Sequence, residues 1–167
     1  LERAVGLDSS HSMLSVARSN LERAEIRNVD LRQGDVYSPT LEPDSFDLIV
    51  VHQVLHFLDD PQRAIREAAR LLTPGGRLLI IDFAPHGLEF LRTDHAHRRL
   101  GLRGESVETW LEGAGLDLTD LRTLEPPVGD DDTERLTVSL WTGTDRRPAE
   151  PASAEANAAT VPAGRTR

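Results

Sequence analysis

Apolar positions along this chain follow two alternating periods. Residues 3–7 (RAVGL) are short, apolar at alternate and then adjacent positions, and run into Asp8, which predicts a buried strand entering a polar loop. Ser9 and Ser10 follow, either suited to capping a helix, and Met13, Leu14, Ala17 and Leu21 then fall at spacings that share one helical face. Residues 29–33 (VDLRQ) alternate apolar with polar and break at Gly34, with Asp35 immediately behind. A strand ending in an acid has now occurred twice. Residues 46–51 (FDLIVV) form a nearly continuous apolar run, the pattern of a central strand covered on both faces.

Asp59 and Asp60 stand just ahead of Pro61, a favourable first turn, and Ala64, Ile65, Ala68, Ala69 and Leu72 make the apolar stripe of the helix that follows. Residues 73–76 (TPGG) should stop it. Residues 77–81 (RLLII) read as another buried strand, closed by a third acid, Asp82. Strand and helix in strict alternation predict an α/β fold with a doubly wound, mostly parallel sheet. Beyond Asp82 the texture changes. Residues 88–100 are charged and rich in histidine, residues 107–114 form a short helix with Trp110 and Leu111, and Gly115 ends it. Residues 116–123 and 136–141 alternate in strand fashion across an acidic, proline-rich stretch, which predicts an antiparallel pair at the sheet edge. Residues 146–167 hold one Val and no Leu, Ile or aromatic residue, so residues 1–145 are expected to form the domain and 146–167 a disordered tail.

Composition narrows the chemistry. With 167 residues, one domain is the expectation. The formal charge is -9 and no basic block could track a phosphate backbone, which argues against direct nucleic-acid contact by this segment. The absence of cysteine excludes disulfides, zinc-thiolate sites and thiol nucleophiles. There is neither a signal peptide nor an apolar run long enough to span a bilayer, so a cytoplasmic protein without membrane contact is expected.

Residues 46–83, FDLIVVHQVLHFLDDPQRAIREAARLLTPGGRLLIIDF, resemble the fourth strand, helix, Pro-Gly-Gly turn and fifth strand of the class I S-adenosylmethionine-dependent methyltransferases. The likeness is greatest to the group containing the ubiquinone and menaquinone C-methyltransferases, and it spans about residues 1–144. Residues 82–116, DFAPHGLEFLRTDHAHRRLGLRGESVETWLEGAGL, further resemble methyltransferase domains fused behind an ArsR-type winged-helix domain, which implies an upstream domain through which the protein dimerises.

In an open α/β sheet the ligand lies beyond the carboxyl ends of the strands, so acids at successive strand ends converge on it. The resemblance implies that Asp8 accepts from both ribose hydroxyls of S-adenosylmethionine and Asp35 from the adenine amine, with Ser9 and Val36 beside the ring. His52 and Gln53 would flank the methionine portion. A catalytic base is optional for methyl transfer; His52 is the first candidate, ahead of His86, His95 and His97, each of which reads more simply as a surface residue. His52 and His56 stand four apart, yet no third ligand stands at a recognisable spacing, and no metal site is expected.

The family also carries a glycine-rich loop after its first strand, and no such loop precedes Asp8. In the strand order the family implies, 3-2-1-4-5-7-6, the central strand would then be absent, and this segment alone should be poorly stable and bind the cofactor weakly. The methyl acceptor is expected to be a small molecule of unknown identity. Two other readings stay open: a non-catalytic sensor of S-adenosylmethionine or S-adenosylhomocysteine attached to a transcriptional regulator, and a nicotinamide-dependent dehydrogenase, which the TPGG turn followed by an edge hairpin disfavours.

Overall fold

The computed structural model describes residues 2–126 and 136–149. Most of the acidic stretch between the last two strands, and residues 150–167 of the expected tail, lie outside the described residues.

Strand β1 (Ala4–Asp8), helix α1 (His11–Arg23) and strand β2 (Val29–Gln33) form a βαβ unit with β1 and β2 parallel. Ser10 caps α1, its hydroxyl accepting from the Met13 amide at 3.3 Å. Only part of the expected stripe is buried: Leu14 is 6% exposed, whereas Met13 is 54% exposed. At 100° per residue Met13 lies off the line running through Leu14, Ala17 and Leu21, and it points to solvent.

The larger unit is built on β3 (Phe46–His52), β4 (Leu72–Phe83), β5 (Leu116–Leu124) and β6 (Val138–Asp145), in the order β3-β4-β6-β5. β3 and β4 are parallel; β6 pairs antiparallel with both β4 and β5, which is the edge hairpin the alternation predicted. Helix α2 (Pro61–Leu71) starts where Asp60 accepts from the Arg63 amide at 3.0 Å, with Pro61 in the first turn. A short helix α3 (Phe90–Asp94) and helix α4 (Gly104–Gly113) follow β4. The core joins Leu55, Ile65, Leu72, Leu78, Ile80, Leu111 and Trp141, with Ile49 and Val51 packed against it.

Helix α2 ends at Leu71, just ahead of the TPGG residues, but two other expectations need correction, the first being where the next strand begins. The TPGG residues fall within the bounds of β4. The register nonetheless pairs Phe46 with Leu72 and Leu48 with Arg77, so β3 advances two residues while β4 advances five, and the Thr-Pro-Gly-Gly segment bulges out of the ladder. A Cβ on Gly76 would stand 2.8 Å from the Thr73 carbonyl oxygen, which is why a glycine is needed there. The second correction concerns β3, which is covered on one face only: Leu48 and Val50 are 45% and 50% exposed. No helix among the described residues is long and apolar enough to cross a membrane.

The described strands thus make two sheets, β1-β2 and β3-β4-β6-β5. Between β1 and β3 lies a mostly apolar cavity of about 650 Å³, lined along the whole length of both strands. Tyr37 links the units below it: its hydroxyl accepts from the Asp60 amide at 2.9 Å, and the Arg63 guanidinium lies 5.2 Å from its ring centre.

Candidate functional site at the carboxyl edge

Each parallel strand of a βαβ unit delivers its last residue to the same edge of the sheet. Asp8 ends β1, Gly34 and Asp35 follow β2, and His52 ends β3. Asp8, Ser9, Asp35, Val36 and His52 all line the cavity between β1 and β3. Gln53 does not. It sits at φ 51° and its amide donates to the Ile81 carbonyl at 2.7 Å, so its backbone ties the end of β3 to β4.

The two acids are organised alike. One Asp8 oxygen accepts from the Ser10 amide at 2.8 Å, and one Asp35 oxygen accepts from the Tyr37 amide at 2.8 Å. These local bonds fix each side chain against its own turn. A carboxylate has about four lone-pair positions, so each acid keeps acceptor capacity for a ligand. Gln33 reaches over to donate to the Ser9 carbonyl at 3.1 Å, holding the two strand ends together. His52 is exposed at the rim.

A second polar group stands one strand further along the same edge. The 3₁₀ turn Leu55–Phe57 after β3 buries His56, 1% exposed, against Asp82 near the end of β4, 0% exposed. His56 Nδ1 and an Asp82 oxygen are 2.7 Å apart, and the carboxylate also accepts from the Phe83 amide at 2.8 Å and the His56 amide at 3.3 Å. The sequence showed Asp82 only as a third acid at a strand end, and nothing in its spacing announced this partner. His97 is likewise buried, 8% exposed, with its ring 4.2 Å from that of His56. The surface reading of His97 is therefore wrong. Its neighbours Asp94, His95 and Arg98 are exposed, and they lend the local sequence a solvated character that His97 does not share. His95 is exposed as expected, and His86 is half-buried. Burial holds the His86 and His97 imidazoles below their usual pKa of 6.5, and proximity to His56 adds to the effect at both. No group of three or more His, Cys, Asp or Glu among the described residues is placed to hold a metal ion.

Comparison with known proteins bears on this arrangement. Residues 1–80 match the family model described as a methyltransferase domain. The solved structure of YcgJ from Bacillus subtilis superimposes with a TM-score of 0.73 at 21% identity, covering 87% of this chain and 83% of that one. The two share a fold. In sequence, 86 residues are 35% identical to the uncharacterised methyltransferase YcgJ of Bacillus subtilis (strain 168), covering 51% of this chain and 34% of that protein. Over 134 residues the chain is 31% identical to the uncharacterised protein YafE of Escherichia coli (strain K12), covering 74% of this chain and 64% of that one. The chain thus spans from about a third to less than two thirds of the length of these two relatives.

Proposed function

We propose that the protein binds S-adenosylmethionine at the carboxyl edge between β1 and β3 and transfers its methyl group to a small-molecule acceptor. The observation that carries this reading is the pair of acids, Asp8 and Asp35, each anchored through one oxygen and each facing one cavity in a methyltransferase fold. The site fits the cofactor on its adenosine side. Asp8 has acceptor positions left for a vicinal diol, Asp35 for an exocyclic amine, and Val36 offers an apolar side to a ring; charged hydrogen bonds of this kind are worth roughly 1.5 to 3 kcal/mol each. When bound, the cofactor supplies an electrophilic methyl group. His52, exposed at the end of β3, is the first candidate to take a proton from the acceptor.

The slot between the sheets belongs to the same proposal. Among the described residues β1 pairs only with β2 and β3 only with β4, so each leaves an edge of unpaired amides and carbonyls facing the cavity. We read the slot as the seat of one more parallel strand, with a glycine-rich turn at its carboxyl end, provided by further sequence of the same protein. The strand order β2-β1 and β3-β4-β6-β5 has room for one strand between β1 and β3, and the half-exposed Leu48 and Val50 give β3 an apolar face for the same additional segment to cover. Calorimetric titration tests the reading directly. S-Adenosylmethionine is expected to bind this chain measurably more tightly than NAD, with a gain of tenfold or more on extending the chain by its own preceding sequence. Equal affinity for NAD would overturn it.

A further inference from the structure

The His56–Asp82 pair has a vacant valence that the fold does not explain. With Asp82 as the acceptor, His56 donates from Nδ1 and, as a neutral ring, keeps its lone pair on Nε2. That Nε2 is buried and has no hydrogen-bond partner among the described residues. A buried polar atom without a partner is destabilising, and each one in a native fold calls for an explanation. His86 is in the complementary state. Its Nδ1 accepts from the Leu88 amide at 3.3 Å, which puts the proton of the neutral ring on Nε2, and that nitrogen is also buried and unpartnered.

We propose that His56, oriented by Asp82, accepts a hydrogen bond from a hydroxyl group of the methyl acceptor, bound beneath the segment that carries His86 and His97. A hydroxyl has what either valence needs: a proton for an acceptor such as His56 Nε2 and lone pairs for a donor such as His86 Nε2. An ether can accept from His86 Nε2 but has no proton for His56 Nε2, a methyl group offers neither, and a carboxylate cannot donate. Aromatic neighbours make an aryl hydroxyl the class that fits: the ring centres of Phe57 and Phe83 lie 4.0 Å and 5.0 Å from that of His56. The location also suits an acceptor. His56, in the turn after β3, and Asp82, near the end of β4, sit on the same edge as His52, where ligands of open α/β sheets lie. The roof is built onto His56 itself, whose carbonyl accepts from the Arg98 and Arg99 amides, both at 3.1 Å. Because His97 lies over His56, entry of the hydroxyl displaces the His97 ring.

This inference rests on the methyl-transfer reading, but its test needs no cofactor, so the two can fail separately. The probes are phenol and anisole, which differ only by the methyl group on oxygen, titrated to millimolar concentration into the intact chain with labelled histidine nitrogens. His56 is expected to carry its proton on Nδ1, and phenol to shift His56 Nε2 while anisole, which has no proton to donate, leaves it unshifted. His86→Phe, which keeps an aromatic ring and removes the donor, should weaken phenol binding about tenfold, the loss expected for one hydrogen bond. A proton found on His56 Nε2, no response of that nitrogen to phenol, or equal responses of it to phenol and anisole would each overturn the proposal. Failure of cofactor binding with the phenol response intact would instead overturn the methyl-transfer reading alone.

Discussion

The βαβ unit of β1, α1 and β2 and the four-stranded unit of β3 to β6 differ sharply in how they are held. Leu14 is the one core hydrophobic side chain ahead of Leu55 among the described residues; all the others belong to the larger unit. Yet the smaller unit carries both cavity-lining acids, whereas the larger one carries the buried His56–Asp82 pair. The difference teaches that the two halves of the site rest on different physics. The side carrying Asp8 and Asp35 depends on turns and caps, each worth about 1 kcal/mol, and the side toward β4 on a packed core.

Truncations should expose that difference most strongly. Ile80→Ala, at a fully buried position in the centre of β4, is expected to cost about 2 to 5 kcal/mol in urea denaturation, and to release β5 and β6 with it. Leu14→Ala is expected to cost about 2 kcal/mol or less and to leave exchange protection of β4 and β6 unchanged. Equal losses at the two positions, with protection lost throughout, would mean that the units fold as one. Helix caps offer a gentler comparison. Ser10→Ala and Asp60→Ala each remove a side-chain acceptor at a helix start, and each should cost about 1 kcal/mol. The first should appear as local opening of α1 in hydrogen exchange, and the second as a loss of global stability.

Acidification sharpens the contrast from the other side. Burial disfavours the charged forms of His86 and His97, so their folded pKa values lie below 6.5. As pH falls below 6.5 the unfolded chain takes up protons first, and folded-state stability declines until the lowered values are reached. Exchange in residues 86–102 should therefore rise between neutral pH and pH 5 before that of β1 and β2 does. The smallest effect concerns the far edge of the larger sheet. The Asp145 carboxyl is held below its usual range chiefly by its hydrogen bonds with Arg147, which also reaches Asp44 at 2.7 Å. The stabilisation from that pair is present above the ordinary carboxylate pKa and is lost as pH falls through the depressed value. Arg147→Ala should return Asp145 toward its ordinary range and raise the midpoint of acid unfolding slightly.

Much of the fold was legible because hydrophobic periodicity reports local geometry. β2 matches its expected bounds residue for residue, α2 bears the stripe of Ala64, Ile65, Ala68 and Ala69, and the edge hairpin forms as the alternation required. The acids at strand ends were legible for the same reason, since a strand has one carboxyl end. What the pattern missed depends on contacts between distant segments. Asp82 and His56 lie 26 residues apart, and only the parallel pairing of β3 with β4 brings them together. His97 reads as solvated because its neighbours are charged, while its own burial depends on the turn after β3. Leu48 and Val50 belong to a run that looks buried on both sides, but burial of the second face requires a covering layer, which the pattern of the strand cannot supply.

The central claim, a cofactor site built from Asp8 and Asp35, is tested most directly by mapping backbone amide shifts during titration with S-adenosylhomocysteine, a measurement that tolerates weak binding. Residues 8–9 and 35–36 are expected to shift together, and Asp8→Ala to weaken the interaction at least tenfold while the dispersion of the remaining spectrum is retained. Shifts confined to other parts of the chain, or an affinity unchanged by Asp8→Ala, would contradict it.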